Sequence, residues 1–274
     1  MSENRNIGRL AGKVALITGT SPNIGGVAAS GFAAAGAKVA CNDIRAEMAE
    51  DRVARIIAAG GEAMAVPGDV TDPEAMAVAV AAVLERWGRI DVLVNNAVRF
   101  DARGLLDMPL DDFRRQLDVI VGGSFIVTRL VAESMIERGI AGSIINVLST
   151  AAWQGQAGNV GYCTGKSGLI NFTRSVAMEL APYGIRVNGF TPTATMPDEP
   201  ALATAFSGAA EKMREAGVMD FAGQNPWSRL PTPTDYLSPL VFLASDESTL
   251  MTGSNITIDG GALAKYWPQA PRRA

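Results

Sequence analysis

The chain has 274 residues, of which 48% are hydrophobic and 19% charged, with a formal net charge of −4 and no histidine. That length and apolar content suit one large α/β domain over residues 1–274, and a weakly acidic chain with interspersed charges offers no footprint for nucleic acid. Cys41 and Cys163 lie far apart without CxxC spacing and no His completes a zinc set, so a reducing compartment and no metal are expected.

The N-terminal "MSENRNIGRLAGK" has no apolar core of signal-peptide length, and no uncharged apolar run reaches about 18 residues. A cytoplasmic protein without a membrane partner is the expectation. From there a short apolar run alternates with an Ala-rich helical segment. Strands are expected at 13–19, 37–43, 62–68, 90–97, 142–149, 185–190 and 254–261, all too continuously apolar to be half exposed. Helices are expected near 26–35, 47–59, 73–87, 110–138 and 160–181, with "TDPE" at 71–74 offering a cap followed by Pro. The alternation predicts a doubly wound, Rossmann-like parallel sheet flanked by helices. Only Pro192 to about Asp235 breaks the rhythm: Pro is frequent, strand signal is missing, and a helix is expected around 199–216. The segment at 192–235 reads as a lid over a cleft.

The first crossover, "LITGTSPNIGG", places Gly19, Pro22 and Asn23 in a turn and Gly25 and Gly26 at a helix start. Unpaired N–H groups and the positive helix end then point at one spot, suited to a pyrophosphate. Asn23 stands where a residue tolerant of left-handed dihedrals is wanted. Asp43 ends the second strand about 20 residues on, where an acid takes the ribose 2′-hydroxyl of NAD and repels a 2′-phosphate. NAD is therefore expected over NADP, with Arg45 the nearby cation that a 2′-phosphate could use. A plain strand-to-helix connection and a capping Asp are the ordinary alternatives.

These strings, with "GDV" at 68–70, "NNA" at 95–97, Ser149, "YCTGK" at 162–166, "IRVN" at 185–188 and "TGSNITIDGG" near the end, together resemble the short-chain dehydrogenases/reductases over nearly the whole chain. Ser149 precedes Tyr162 by 13 residues, the interval usual in that family. The resemblance implies a catalytic Ser149, Tyr162 and Lys166: Tyr162 passes a proton to or from the substrate oxygen, Ser149 orients that oxygen, and Lys166 holds the ribose and lowers the tyrosine's pKa. It also implies cofactor contacts from Gly19, Ser21, Asn23, Ile24, Gly25, Asp43, Asp69, Val70, Asn95, Ala97, Tyr162, Lys166 and Thr195. Lowering Tyr162 from about 10 to about 7 requires roughly 4 kcal/mol, more than an exposed ion pair supplies, so a dry cleft with positive charge is needed. Taken without the resemblance, a Tyr and a Lys four apart are ordinary packing and solvated charge.

Four positions depart from the family pattern, one of them Asn23 in the cofactor turn. Ile120 stands where related chains carry an Asn that anchors a water beside the lysine; Asp118 or a carbonyl freed near Gly122 and Gly123 is the substitute to look for. Val98 replaces the Gly of "NNAG" and Thr193 the Gly of "PG". The expected activity is hydride transfer between NAD and a secondary alcohol or ketone, cyclic or aromatic because Trp153, Met196, Phe206, Met213, Met219, Phe221 and Trp227 are taken as pocket wall; simple core is their other reading. The alternative is a catalytically weak scaffold or sensor that binds the cofactor. Segments 110–138 and 160–181 match the paired helices of the family's assemblies, with Phe125, Leu130, Leu169 and Phe172 supplying an apolar stripe, so a homotetramer is expected, or failing that a dimer.

Overall fold

The computed structural model describes residues 8–215, 225–227 and 229–265, without the side chains of 213 and 214. Seven parallel strands form one sheet in the order β3-β2-β1-β4-β5-β6-β7. They are β1 Val14–Thr18, β2 Lys38–Asn42, β3 Glu62–Ala65, β4 Val92–Asn95, β5 Ser143–Val147, β6 Arg186–Pro192 and β7 Asn255–Ile258. The helices are α1 Ile24–Ala34, α2 Ala46–Ala58, α3 Pro73–Trp87, α4 Leu110–Leu117, α5 Gly123–Glu137, α6 Val160–Leu180, α7 Pro200–Glu215 and α8 Leu237–Ala244.

The continuous apolar runs exist because both faces of the sheet are covered. Successive β1 side chains alternate: Ala15 and Ile17 enter the core layer shared with Phe32 of α1, Ile56 of α2 and Leu240 of α8. Val14 and Leu16 enter the opposite layer, with Met76 of α3 and Val127 and Val131 of α5. Phe32, Leu16 and Ile17 are fully buried, and each side chain of this kind contributes about 1.5–3 kcal/mol against exposure. Asp72 caps α3 as the sequence suggests, accepting from the N–H groups of Glu74 and Ala75 at 2.9 and 3.1 Å.

The strand order reverses between β1 and β4, which opens a crevice at the carboxyl ends of the strands.

Two features differ from the sequence reading. Helix α8 was not expected, because "LSPLVFLA" is a short, almost wholly apolar run with no helical period to read; burial of Leu240, Val241 and Leu243 holds it. The helix expected over 110–138 is interrupted by a π-turn at Asp118–Gly122, ahead of Gly123. Three consecutive β-branched residues, Val119 to Val121, followed by two glycines make regular α-helix poor there. The whole stretch Leu110–Glu137 is long and apolar enough to cross a membrane by length and composition. Half of that apolar window is nonetheless buried inside the fold, where α5 packs on α3 and β4 and α4 packs on α6. Its apolarity is that of a core helix. Leu169, expected on an external stripe, is instead buried with Ile120 and Leu148, while Phe125 is 53% exposed.

Candidate active site

A cleft of about 1260 Å³ runs along the carboxyl ends of β1 to β6. Its first wall is the turn after β1. Gly19 has φ +70°, and a β-carbon there would stand 2.9 Å from Ala97 Cα, so only glycine lets the β1 and β4 ends approach. A β-carbon at Gly25 would fall 2.1 Å from the Gly19 carbonyl oxygen, which fixes the second glycine for the same reason. Asn23 stands at positive φ, 158° with ψ −145°, a backbone that side chains other than glycine's rarely adopt, as the turn required. Its side chain also caps α1, Oδ1 accepting from the Ile24 N–H at 2.9 Å. The Gly26 N–H goes to Ser21 O and the Val27 N–H to Asn23 O, which closes the first turn of α1 behind Gly25.

Asp43 lies in the same cleft at 5% exposure. Its Oδ2 accepts from the Ser21 N–H at 3.0 Å and the Ser21 hydroxyl at 2.7 Å, and its Oδ1 from the Arg45 N–H at 3.2 Å. Arg45 also donates to the Ser21 hydroxyl at 3.1 Å. Asp69 accepts from the Thr71 N–H and hydroxyl at 2.9 and 2.8 Å; it makes a local turn, while capping falls to Asp72. Ile24, Val70, Ala97 and Thr195 also line the cleft, and Thr195 Oγ1 is held by Thr193 O and the Tyr236 hydroxyl.

Asn95 is the one expected cofactor residue outside the cleft lining. As the last residue of β4 it points into the fold, Nδ2 donating to Thr128 Oγ1 and Asn146 Oδ1, both at 2.8 Å. Its neighbour Asn96 faces the cleft and donates to the carbonyls of Gly19 and Thr18 at 2.8 and 3.1 Å. The twofold alternation of a strand end selects one of the twin asparagines for each side.

Ser149, Tyr162 and Lys166 meet deeper in the cleft. Ser149 follows β5, and its Oγ accepts from the Ala151 N–H at 3.1 Å at the start of a short 3₁₀ turn. The Ser149 hydroxyl is in hydrogen-bonding reach of the Tyr162 phenol. Tyr162 and Lys166 share one face of α6, with Lys166 Nζ 5.7 Å from the Tyr162 ring centroid. The ammonium donates to the Val147 carbonyl at 2.6 Å. Burial pulls Lys166 down to about 7. Burial pushes Tyr162 up, partly opposed by the Ser149 hydrogen bond. The phenol form predominates, ready to give a proton.

The aromatic wall differs from expectation. Phe206, Ala209 and Ala210 of α7 line the cleft, as does Phe100, which the sequence reading did not single out. Trp153 lines a separate hollow of about 230 Å³ with Ile170, Thr173 and Asn255, its indole N–H on Thr191 Oγ1 at 3.2 Å. Met196 and Trp227 are outside the cleft lining; Met196 sulfur accepts from the Ser207 hydroxyl, and Trp227 is 68% exposed. Met219 and Phe221 lie outside the described residues, as does the Met213 side chain. Gln156 and Asn159 also line the cleft, Asn159 donating to Gln156 Oε1 at 3.0 Å.

The residues present suit a nicotinamide dinucleotide: a glycine-rich turn at a helix start, a buried acid at the end of β2, and a cleft long enough to reach from Asp69 to Tyr162. Comparisons with known proteins agree. A sequence family described as enoyl-(acyl carrier protein) reductase matches residues 19–262. L-rhamnose 1-dehydrogenase (NAD(P)+) of Sphingomonas sp. is 36% identical over 92% of this chain and 96% of its own. Trans-4-hydroxycyclohexanecarboxylate dehydrogenase of Sinomonas cyclohexanicum is 36% identical over 93% and 95%. The crystal structure of a short-chain type dehydrogenase/reductase from Mycobacterium marinum superposes with a TM-score of 0.84 at 30% identity, covering 96% of this chain and all of that one.

Proposed function

The chain belongs to the short-chain dehydrogenase/reductase family and is an NAD(P)-dependent oxidoreductase acting on a small molecule, and on that premise we propose that it interconverts a cyclic or aromatic secondary alcohol and its ketone with NAD. The convergence of Ser149, Tyr162 and Lys166 beside the glycine turn carries this reading. Bound NAD supplies the hydride acceptor for oxidation, and NADH the donor for reduction. Ser149 orients the substrate oxygen. Tyr162 Oη gives or takes the proton on that oxygen, and Lys166, steadied by Val147 O, places positive charge behind the phenol. Asp43, held by Ser21, supports NAD over NADP, because its carboxylate would face a 2′-phosphate. The segment at 192–235, of which 216–224 and 228 lie outside the described residues, is read as the lid because Pro192 to Thr195 and Phe206 line the cleft.

The reading is tested by incubating purified protein and NAD with cyclic and open-chain secondary alcohols while following NADH absorbance. NADH formation with the ring alcohols is expected. Its absence with every alcohol and ketone, while NAD still binds, would favour the alternative of a cofactor-binding scaffold or sensor. Ile120 is the observation behind that alternative: it is fully buried, its side chain has no polar atom, and its carbonyl is taken by the Ser124 hydroxyl at 2.7 Å. A cytoplasmic homotetramer, or failing that a dimer, joined through the α4–α5 and α6 surfaces around Phe125, completes the proposal. A sedimentation mass of one 28.7 kDa chain at micromolar concentration would refute that assembly.

A further inference from the structure

Phe100 sits on the loop leaving β4, four residues beyond the Asn96 that braces the cofactor turn. Its ring is 56% exposed, although it lines the cleft. It meets the Tyr162 ring edge to face, with centroids 5.3 Å apart and planes at 77°. A phenylalanine left half open to water beside a reacting group forgoes much of the energy its area can give, and a bound apolar surface would recover it.

The loop does not leave that ring free to wander. Arg103 pairs with Asp101 and reaches Asp112 of α4 at 2.7 Å. Arg99 reaches the same Asp112 carboxylate at 3.5 Å. Each pair is partly exposed and weak alone, but residues on both sides of Phe100 converge on one α4 carboxylate, which fixes the loop at that point. Elsewhere in the cleft, Phe206, Ala209 and Ala210 fall on one face of α7. Two of those three are alanines, so that wall is shallow apart from Phe206. Ser149 and Tyr162 lie in the same space.

We propose that Phe100 is a specificity-determining residue, its pinned ring forming one wall, and the Phe206, Ala209 and Ala210 face of α7 the other, of a slot at Tyr162 that selects a six-membered ring bearing the reacting oxygen. The proposal rests on the secondary-alcohol reading above. A ring presents a flat apolar face to Phe100 in one fixed conformation, whereas an open chain of equal carbon number must give up rotamers to do so.

The test compares cyclohexanol with 2-hexanol. In the wild type, kcat/KM should favour cyclohexanol. Phe100→Ala should lower it for cyclohexanol by roughly tenfold to a hundredfold, mainly through KM, and by less than about threefold for 2-hexanol. Phe100→Tyr should restore most of the preference and Phe100→Leu part of it, with NAD affinity measured by fluorescence unchanged in all three. Equal losses on both alcohols, or no loss on cyclohexanol, would overturn the slot. Saturation-transfer NMR of cyclohexanol gives the same comparison without turnover: transfer to the wild type that weakens in Phe100→Ala supports the slot, and transfer that is absent or unchanged overturns it. A wild type that binds the ring by this measure but oxidises neither alcohol leaves the slot standing and overturns the dehydrogenase reading instead.

Discussion

The Nζ of Lys166 donates to the Val147 carbonyl at 2.6 Å in a setting with almost no solvent contact. One neutral acceptor does not compensate a buried ammonium, and burial accordingly lowers Lys166 from its ordinary 10.5 to about 7. The unfolded chain binds this proton more tightly than the folded one, so stability should rise as pH climbs through 7 towards 10.5. Cys41, pushed up to about 12, and Tyr236, also pushed up to about 12, work the other way. Each is more readily ionised in the unfolded chain, so each removes stability above its ordinary 9.0 or 10.0. The expected outcome is a melting temperature that rises from pH 6 to a maximum near pH ~9 and then falls. Lys166→Met should raise the melting temperature at pH 6 and flatten the rising limb. A wild-type profile without that limb would mean that Lys166 holds its proton to higher pH.

Tyr162 is raised by the same burial, and its hydroxyl is the group that must exchange a proton with the substrate oxygen. Tyr162→Phe keeps the ring that Phe100 packs against and removes only the oxygen. Turnover should fall by at least about a thousandfold while NAD affinity stays nearly intact. Comparable kcat in the variant would move the proton chemistry elsewhere.

Asp43 has three donors on its carboxylate, two of them from Ser21. Replacing it by Ala should weaken NAD binding by about 1.5–3 kcal/mol, the range for a lost hydrogen bond to a charged group, and narrow the preference over NADP. Ser21→Ala leaves the acid but removes one of its anchors, so a smaller loss in the same direction is expected. Isothermal titration with both cofactors reads the ratio directly; a ratio unchanged in Asp43→Ala would take that residue out of the site.

The sheet was legible because its signal is repeated and local: seven apolar runs, each with turn residues after it, fall within a few residues of the seven strands. Ser149, Tyr162 and Lys166 were legible through the resemblance to the short-chain dehydrogenases/reductases, and the fold brings all three into one cleft. Side-chain direction was less so. Asn95 and Asn96 differ by one step along a strand end, and sequence alone does not say which step faces the cleft. Trp153 was placed in the cleft on proximity to Ser149, but the 3₁₀ turn at Thr150–Ala152 carries it to a different hollow. Phe100 carried no signal at all: it is one aromatic in a polar loop, and only the fold brings it onto Tyr162. The π-turn at Asp118–Gly122 was hidden because its residues still read as apolar helix.

That π-turn sets a contact whose consequences can be measured. Ile120 is buried against α6, and a β-carbon on Gly165 would stand 3.0 Å from Ile120 Cδ1 and 3.2 Å from its Cβ and Cγ2. Gly165 precedes Lys166 directly, so Ile120 sets how closely α6 approaches the π-turn. Gly165→Ala should overpack this site and cost about 1–3 kcal/mol. Ile120→Ala should leave a cavity and cost about 2–5 kcal/mol. In the double variant the new methyl enters space the isoleucine vacated, so the combined cost should fall short of the sum by at least ~1 kcal/mol. Chemical denaturation of the four proteins gives this coupling, and additivity within about 0.5 kcal/mol would show that the two residues do not touch. Activity should follow a different order. Gly165→Ala pushes Lys166 and Tyr162 away from Ser149 and should reduce kcat, whereas adding Ile120→Ala should recover part of it, because the strain on α6 is relieved even though stability is lower.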